Sequence, residues 1–244
     1  MYIVLFKKTG RALLLATVAL CACSAPAPLI TTSLQPIDSR FDTAPDSATQ
    51  AIVGRYKPLL DVRMGVVVGR TSQALPDGGF DSPIARFTTY AILRYAEEAG
   101  IPVDFSLYNV GGLRTGLPKG ELRLFDLYTV YSFDNNVVVL TIQGKYLREL
   151  AAFFARTHPQ PMGNAALEIA PNCAPSLRIN GEELDDGRMY RLITNNFVGS
   201  GGDGMTMLRE AVAVEYPGIL FRDAIIHYIQ TAGREIAPPQ EERK

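Results

Sequence analysis

Four polar segments carry the residue types that a small-molecule site needs. In Asn109-Val110-Gly111-Gly112-Leu113-Arg114, two glycines without a Cβ let the backbone approach a ligand closely. Arg114, two residues on, offers a planar fork for a phosphate or carboxylate. Tyr131-Ser132-Phe133-Asp134-Asn135-Asn136 sets one aromatic in a polar run, where it could stand exposed at a pocket rim. Thr194-Asn195-Asn196-Phe197-Val198-Gly199-Ser200-Gly201-Gly202-Asp203-Gly204 is a glycine-rich loop with one Phe and one Asp. It lacks the Lys-Ser/Thr of a phosphate loop and the spacing of a dinucleotide fingerprint. Asp81-Ser82-Pro83-Ile84-Ala85-Arg86 pairs an N-cap serine with a proline at the first helical position. Taken singly, each segment also fits plain scaffold: a Gly-Gly turn with a surface Arg, a core Phe between turns, a flexible connection, a capped helix start.

The elements that must position these segments follow from periodicity. The pattern predicts a helix over Ser47–Leu60, with Ile52, Val53, Tyr56, Leu59 and Leu60 facing the core and Pro58 disturbing its last turn. Val66–Val68 reads as a short buried strand. A helix from Pro83 to Gly100 presents Ile84, Phe87, Ala91, Leu93 and Ala96, and Val103–Tyr108 alternates as a strand. Val137–Ile142 is an apolar strand closed by Gly144, followed by a helix over Lys145–Arg156. Leu167–Ala170 and Leu177–Ile179 are short strands, and Asn180-Gly181 is a type I′ hairpin turn, since both positions need positive φ. Tyr190–Thr194 is a strand, and a final amphipathic helix carries Ile219, Leu220, Ile225, Ile226 and Ile229. Helices and strands alternate without a regular β-α-β rhythm, so the expected fold is α+β, a mixed β-sheet packed by helices.

The chain has 244 residues, 47% hydrophobic and 20% charged, with a formal net charge of −1. That balance gives no electrostatic footprint for nucleic acid. Two histidines, His158 and His227, are too few for most multi-histidine metal sites. Lys7, Lys8 and Arg11 precede an apolar run, Ala12–Leu20, far short of the ~20 residues that span a bilayer. Leu20-Cys21-Ala22-Cys23 follows and resembles a bacterial lipobox, with the small Ala22 favouring Cys23 as the acylated residue over Cys21. The expected organisation is a lipoprotein signal peptide over 1–22, a tether over 23–45 punctuated by Pro26, Pro28, Pro36 and Pro45, and one domain over 46–244. The expected location is the cell envelope, anchored by lipid alone, in the outer membrane facing the periplasm; Ser24 after Cys23 argues weakly for it. Cleavage there leaves Cys173 as a lone thiol, with no internal disulfide.

In this order, the segments resemble the C-terminal, substrate-binding domain of the 5′-nucleotidase family, from about Ser47 to Gln230. The family's Asn-x-Gly-Gly-Ile-Arg is matched by Asn109–Arg114, its Phe-x-Asn before a hydrophobic strand by Phe133-Asp134-Asn135, and its Phe with Gly-Gly-Asp-Gly by Phe197 and Gly201–Gly204. The resemblance implies that Phe133 and Phe197 sandwich a nucleobase. It implies further that Asn109 bonds the base edge with Asn135 in support, that Asp203 accepts from the ribose hydroxyls, and that Arg114 reaches the phosphate. Two departures thin the phosphate contacts: Tyr90 stands where the family has an acidic residue after Arg86, and Gly78-Gly79 where many members have an Arg. The family's divalent metals sit on a metallophosphatase domain whose Asp-x-His, Gly-Asn-His and Gly-His-x-His motifs this sequence lacks. The expected partners are therefore a nucleotide or nucleoside ligand and a separate metallophosphatase protein. Two other readings stay open: an envelope nucleotide-binding protein without hydrolysis, and a structural or interaction module.

Overall fold

The structure, a computed structural model, describes residues 33–34, 36, 38–39, 46–232 and 235–236. The signal peptide and Cys23 lie outside the described residues. The chain divides into two compact units, Met1–Ile52 and Val53–Lys244. Among the described residues no helix is long and apolar enough to cross a membrane.

The first helix, α1 (Ser47–Met64), runs four residues further than its sequence pattern and continues through Pro58. Its apolar stripe does not face a core. None of its residues is buried, and Ile52, Val53, Tyr56, Leu59 and Leu60 are 45–69% exposed. Polar and apolar residues are nearly balanced around this helix, and among the described residues nothing buries the stripe. Val67–Thr71 (β1) follows, with Val68 buried and Val66 and Val67 exposed.

Helix α2 (Pro83–Glu98) starts as the sequence predicts, with Ser82 Oγ accepting the Ala85 N–H at 3.4 Å and Pro at its first turn. Its buried face is Ile84, Phe87, Ala91, Ile92, Tyr95 and Ala96; Leu93 is pushed to the margin. Next come β2 (Phe105–Leu107), a 3-10 turn over Val110–Gly112, β3 (Gly120–Arg123) and α3 (Leu124–Val130). Beyond them lie β4 (Val137–Gln143), α4 (Gly144–Arg156), β5 (Met162–Gly163), β6 (Ala165–Glu168), β7 (Ser176–Ile179) and β8 (Glu182–Glu183). Gly144 opens α4 rather than merely closing β4. The β7–β8 turn is as expected, with Asn180 and Gly181 both at positive φ, 54° and 80°. The chain ends its described course in β9 (Met189–Asn195), a one-turn helix α5 (Asn196–Gly199), 3-10 turns over Gly202–Gly204 and Thr206–Glu210, β10 (Ala213–Glu215), α6 (Phe221–Ala232) and β11 (Glu235–Ile236). Ile219 and Leu220 precede α6 instead of lying in it.

The architecture is α+β. A five-stranded mixed sheet in the order β10-β4-β9-β2-β5 is accompanied by two three-stranded sheets, β11-β1-β3 and β6-β7-β8. The larger sheet is covered on both faces, which is why β4 reads as an unbroken apolar run. Alternate residues point to opposite sides: Val137 and Val139 join the core that includes α2 and α6, whereas Val138, Leu140 and Ile142 join the one built on Leu147, Leu150 and Phe154 of α4.

Candidate functional site

Strand directions bring the three polar loops to one edge of the five-stranded sheet. β2 and β9 are parallel, so Asn109 and Asn195, just past or at their C-terminal ends, lie at the same edge. β4 runs antiparallel to β9 with Val137 paired to Asn195, so the Phe133–Asn136 loop before β4 arrives there too. Loops at the ends of packed strands combine a rigid base with exposed tips.

Asn109 and Asp203, far apart in sequence, meet at the centre of this edge. Asn109 Nδ2 donates to Asp203 Oδ2 at 3.2 Å, and Asn195 Nδ2 donates to Asn109 Oδ1 at 3.0 Å. Asn195 is fully buried and also caps α5, its Oδ1 accepting the Val198 N–H at 2.9 Å. Asp203 is exposed in a left-handed backbone conformation, φ 52°. Gly111 is exposed beside the pair: a Cβ there would sit 3.7 Å from Asn109 Nδ2 and 3.9 Å from Asp203 Oδ2. Gly112 is buried, and a Cβ would come within 2.7 Å of the Tyr108 hydroxyl oxygen, so this turn excludes any larger residue.

Phe133 and Phe197 are 46% and 41% exposed, unusual for rings so close to two packed cores, and neither stacks on another ring. Phe197 stands on Gly202, where a Cβ would fall 2.5 Å from the ring. The Arg114 guanidinium lies over Phe133, 5.1 Å from the ring centroid, and donates to Gly111 O at 3.3 Å. The two Phe-bearing loops are pinned to each other: Asn196 N–H donates to Asn136 O at 2.9 Å, and Asn136 N–H donates to Asn196 Oδ1 at 2.7 Å. Asn135 is half-buried, and its carbonyl accepts the Phe221 N–H at 2.7 Å.

Behind the Phe133 loop stands Arg222, 4% exposed at the start of α6. It donates to Tyr131 O at 2.9 Å and to Asp134 Oδ1 at 2.7 Å, bracketing Phe133 on both sides, and lies 3.9 Å over the Tyr128 ring. A buried guanidinium must be paired and bonded to be tolerated. Beneath the loop, burial raises the hydroxyls of Tyr131 and Tyr108 well above the usual phenol range.

The structure thus joins Asn109, Gly111 and Asp203 in one cluster and Arg114 and Phe133 in another, bridged by the Arg114–Gly111 bond. Sequence reasoning named Asn195 and Asn196 only within the glycine-rich segment, without a role, and did not single out Arg222. A cue for the first was its place directly ahead of a short helical turn, where Asn caps well. Arg86 lies 3.4 Å from Asp81, and Tyr90 packs edge-on against Tyr228. His158 is exposed in a loop and His227 lies against Tyr95. Among the described residues no three His, Cys, Asp or Glu side chains gather where a metal ion could be held.

Comparison with known proteins gives the family. The family model for the 5′-nucleotidase C-terminal domain matches residues 67–210, more than half of the chain and every residue from Asn109 to Asp203 discussed above. The chain is similar to the trifunctional nucleotide phosphoesterase protein YfkN of Bacillus subtilis, 27% identical over 234 residues, covering 86% of this chain and 16% of that protein. Protein UshA of Yersinia enterocolitica is 26% identical over 180 residues, covering 71% of this chain and 32% of UshA. The crystal structure of a 5′-nucleotidase precursor from Thermus thermophilus superposes with a TM-score of 0.65 at 23% identity, over 80% of this chain and 43% of that one. That last likeness is one of fold. The chain spans less than half the length of each of these relatives.

Proposed function

Because the chain belongs to the 5′-nucleotidase C-terminal domain family, we propose that it is the substrate-recognising part of a 5′-nucleotidase-type phosphohydrolase and binds a nucleotide or nucleoside. The observation that carries this is the pair of half-exposed rings, Phe133 and Phe197, on loops pinned together at the sheet edge that also holds Asn109 and Asp203. Exposed rings on fixed loops are stacking platforms, and a base–aromatic contact contributes about 1–3 kcal/mol. In this reading the base lies between the rings and Asn109 donates its second Nδ2 hydrogen to the base edge. Asn135 supports it, and Asp203 accepts from the sugar hydroxyls. Gly111 and Gly112 keep the backbone thin beside the ligand. Arg114 exchanges its contact with the Gly111 carbonyl for the phosphate, for which a guanidinium fork is well shaped.

The described residues do not fit a two-metal centre. Phosphate-ester cleavage is assigned here to a metallophosphatase partner that brings the divalent metals, with this chain supplying specificity. Lys7, Lys8, Arg11, the apolar run Ala12–Leu20 and Ala22-Cys23 support export and anchoring through acylated Cys23, in the outer membrane facing the periplasm, with 23–45 as tether and 46–244 as the binding domain. Calorimetric titration of the full chain with adenosine, AMP and ribose 5-phosphate tests the reading. Adenosine and AMP are expected to bind and ribose 5-phosphate to bind far more weakly; absence of binding by both base-bearing compounds refutes it.

A further inference from the structure

Asn195 lies behind the site rather than in it, yet its hydrogen bonds dictate how two of the candidate ligand residues are turned. A backbone N–H can only donate, so the Asn195 atom that faces the Val198 N–H at 2.9 Å is its carbonyl oxygen. The other end of the amide, Nδ2, therefore faces Asn109 at 3.0 Å, and the Asn109 atom it meets must accept and is Oδ1. Asn109 is left with Nδ2 toward Asp203 Oδ2 at 3.2 Å. The Val198 N–H at one end and the Asp203 carboxylate at the other thus agree on the direction of the whole chain of bonds. Flipping either amide would set two donors or two acceptors against each other, in a place where Asn195 is 0% and Asn109 5% exposed.

We propose that Asn195 is the positioning residue of this ligand site: it orients Asn109 so that its N–H engages one oxygen of Asp203, which leaves the other oxygen to accept from the hydroxyls of a ribose-bearing ligand. This rests on the nucleoside reading above. The same amide holds the turn that carries Phe197, so ring placement and hydroxyl recognition share one anchor. Asn195 touches no ligand in this account; it acts through Asn109.

The test uses the full chain and two ligands, adenosine and 2′,3′-dideoxyadenosine, which has no sugar hydroxyl for Asp203. Asn195→Asp keeps the acceptor for Val198 and replaces the donor to Asn109 with an acceptor. Asn109 then turns its Nδ2 inward and presents oxygen to Asp203. Adenosine affinity should fall by about tenfold or more, as for a hydrogen bond to a charged group, while the dideoxy compound, which loses only the neutral bond from Asn109 to the base edge, should fall by a clearly smaller factor. On an Asp203→Asn background the effect of Asn195→Asp on adenosine should shrink to its effect on the dideoxy compound, since residues in one network are non-additive. Asn195→Ser, which caps α5 but is too short to reach Asn109, should show the same selective loss and serves if the first variant folds poorly. Equal losses for both ligands, or additive effects with Asp203→Asn, overturn the proposal. A ligand-free readout separates it from the nucleoside reading. In the wild-type background Asp203→Asn should shift the Asn109 side-chain amide resonances, and in the Asn195→Asp background it should leave them in place. A shift of equal size in both backgrounds overturns the positioning role whether or not adenosine binds. Failure of the wild-type chain to bind adenosine overturns the nucleoside reading alone.

Discussion

Phe197→Ala separates a ligand-stacking ring from a core ring more cleanly than any other single change. The ring is 41% exposed and rests on Gly202, so truncation removes one close packing partner and opens no enclosed cavity. Its stability cost should stay well below the ~3–5 kcal/mol of a fully buried Phe, and Ala keeps the one-turn helix intact. If a base stacks there, the loss is about 1–3 kcal/mol, which at ~1.4 kcal/mol per decade weakens adenosine binding by roughly 5- to 150-fold. Calorimetry with adenosine gives the affinity, and thermal melting of the same protein without ligand gives the stability. Phe197→Tyr should keep the affinity near wild type, because it keeps the π-face. An unchanged adenosine Kd, together with a fall in Tm of the size that loss of a core Phe produces, would show that the ring is structural and that the stacking argument is wrong.

Arg222→Met should destabilise the fold by about 1–3 kcal/mol through the unpaired Tyr131 carbonyl and should weaken adenosine binding by releasing the Phe133 loop; chemical denaturation beside calorimetry checks both, and unchanged affinity would show that the loop holds itself. Tyr108 and Tyr131 have folded-state pKa values raised by burial above the unfolded ~10, so their contribution is complete below about pH 10 and is lost as pH rises beyond it, at up to ~1.4 kcal/mol per pH unit each. Urea melts from pH 8 to 11 should show that decline, with a shallower slope in Tyr131→Phe. The purified chain alone, supplied with Mn²⁺, Mg²⁺ or Zn²⁺, should release no phosphate from AMP, because its described residues form no metal clamp for a reaction with so high a barrier; turnover that disappears in Asp203→Ala would relocate the chemistry to this chain. Cys23→Ser should abolish labelling by palmitate, and retained label would sink the lipidation site.

Local chemistry made part of this molecule legible in advance. Asn180-Gly181 demands a turn with positive φ at both positions, Ser82-Pro83 starts a helix, and Val137–Ile142 makes an apolar strand; all three are found as read. Residues 120–130 were passed over because Glu121-Leu122-Arg123 alternates for only a moment before Leu124–Val130 turns helical, too briefly for either period to register. The α1 stripe shows a different limit. Spacing tells which residues share a face, and it does not tell whether anything lies against that face. The candidate ligand residues could be named because they cluster in polar segments of odd composition, two of them glycine-rich. Asn195 and Arg222 could not, since each gains its role from a partner 86 or 91 residues away. In the sequence they are an ordinary strand end and an ordinary helix start.

The bare surface of α1 has a kinetic consequence. A helix of 18 residues that buries none of them is held by its own backbone bonds, so opening it costs little and leaves the sheet untouched. Its amides should exchange with solvent orders of magnitude faster than those of β4, whose protons are released only when the sheet itself comes apart. Trypsin, which passes over Lys57 because Pro58 follows it, should make its first cuts at Arg55 and Arg63 and leave a resistant body that begins at Met64. The rate of that first cut is therefore a gauge of whatever lies on Ile52, Tyr56 and Leu59: a companion surface that covers them slows the nick, and the free chain sets the fast limit.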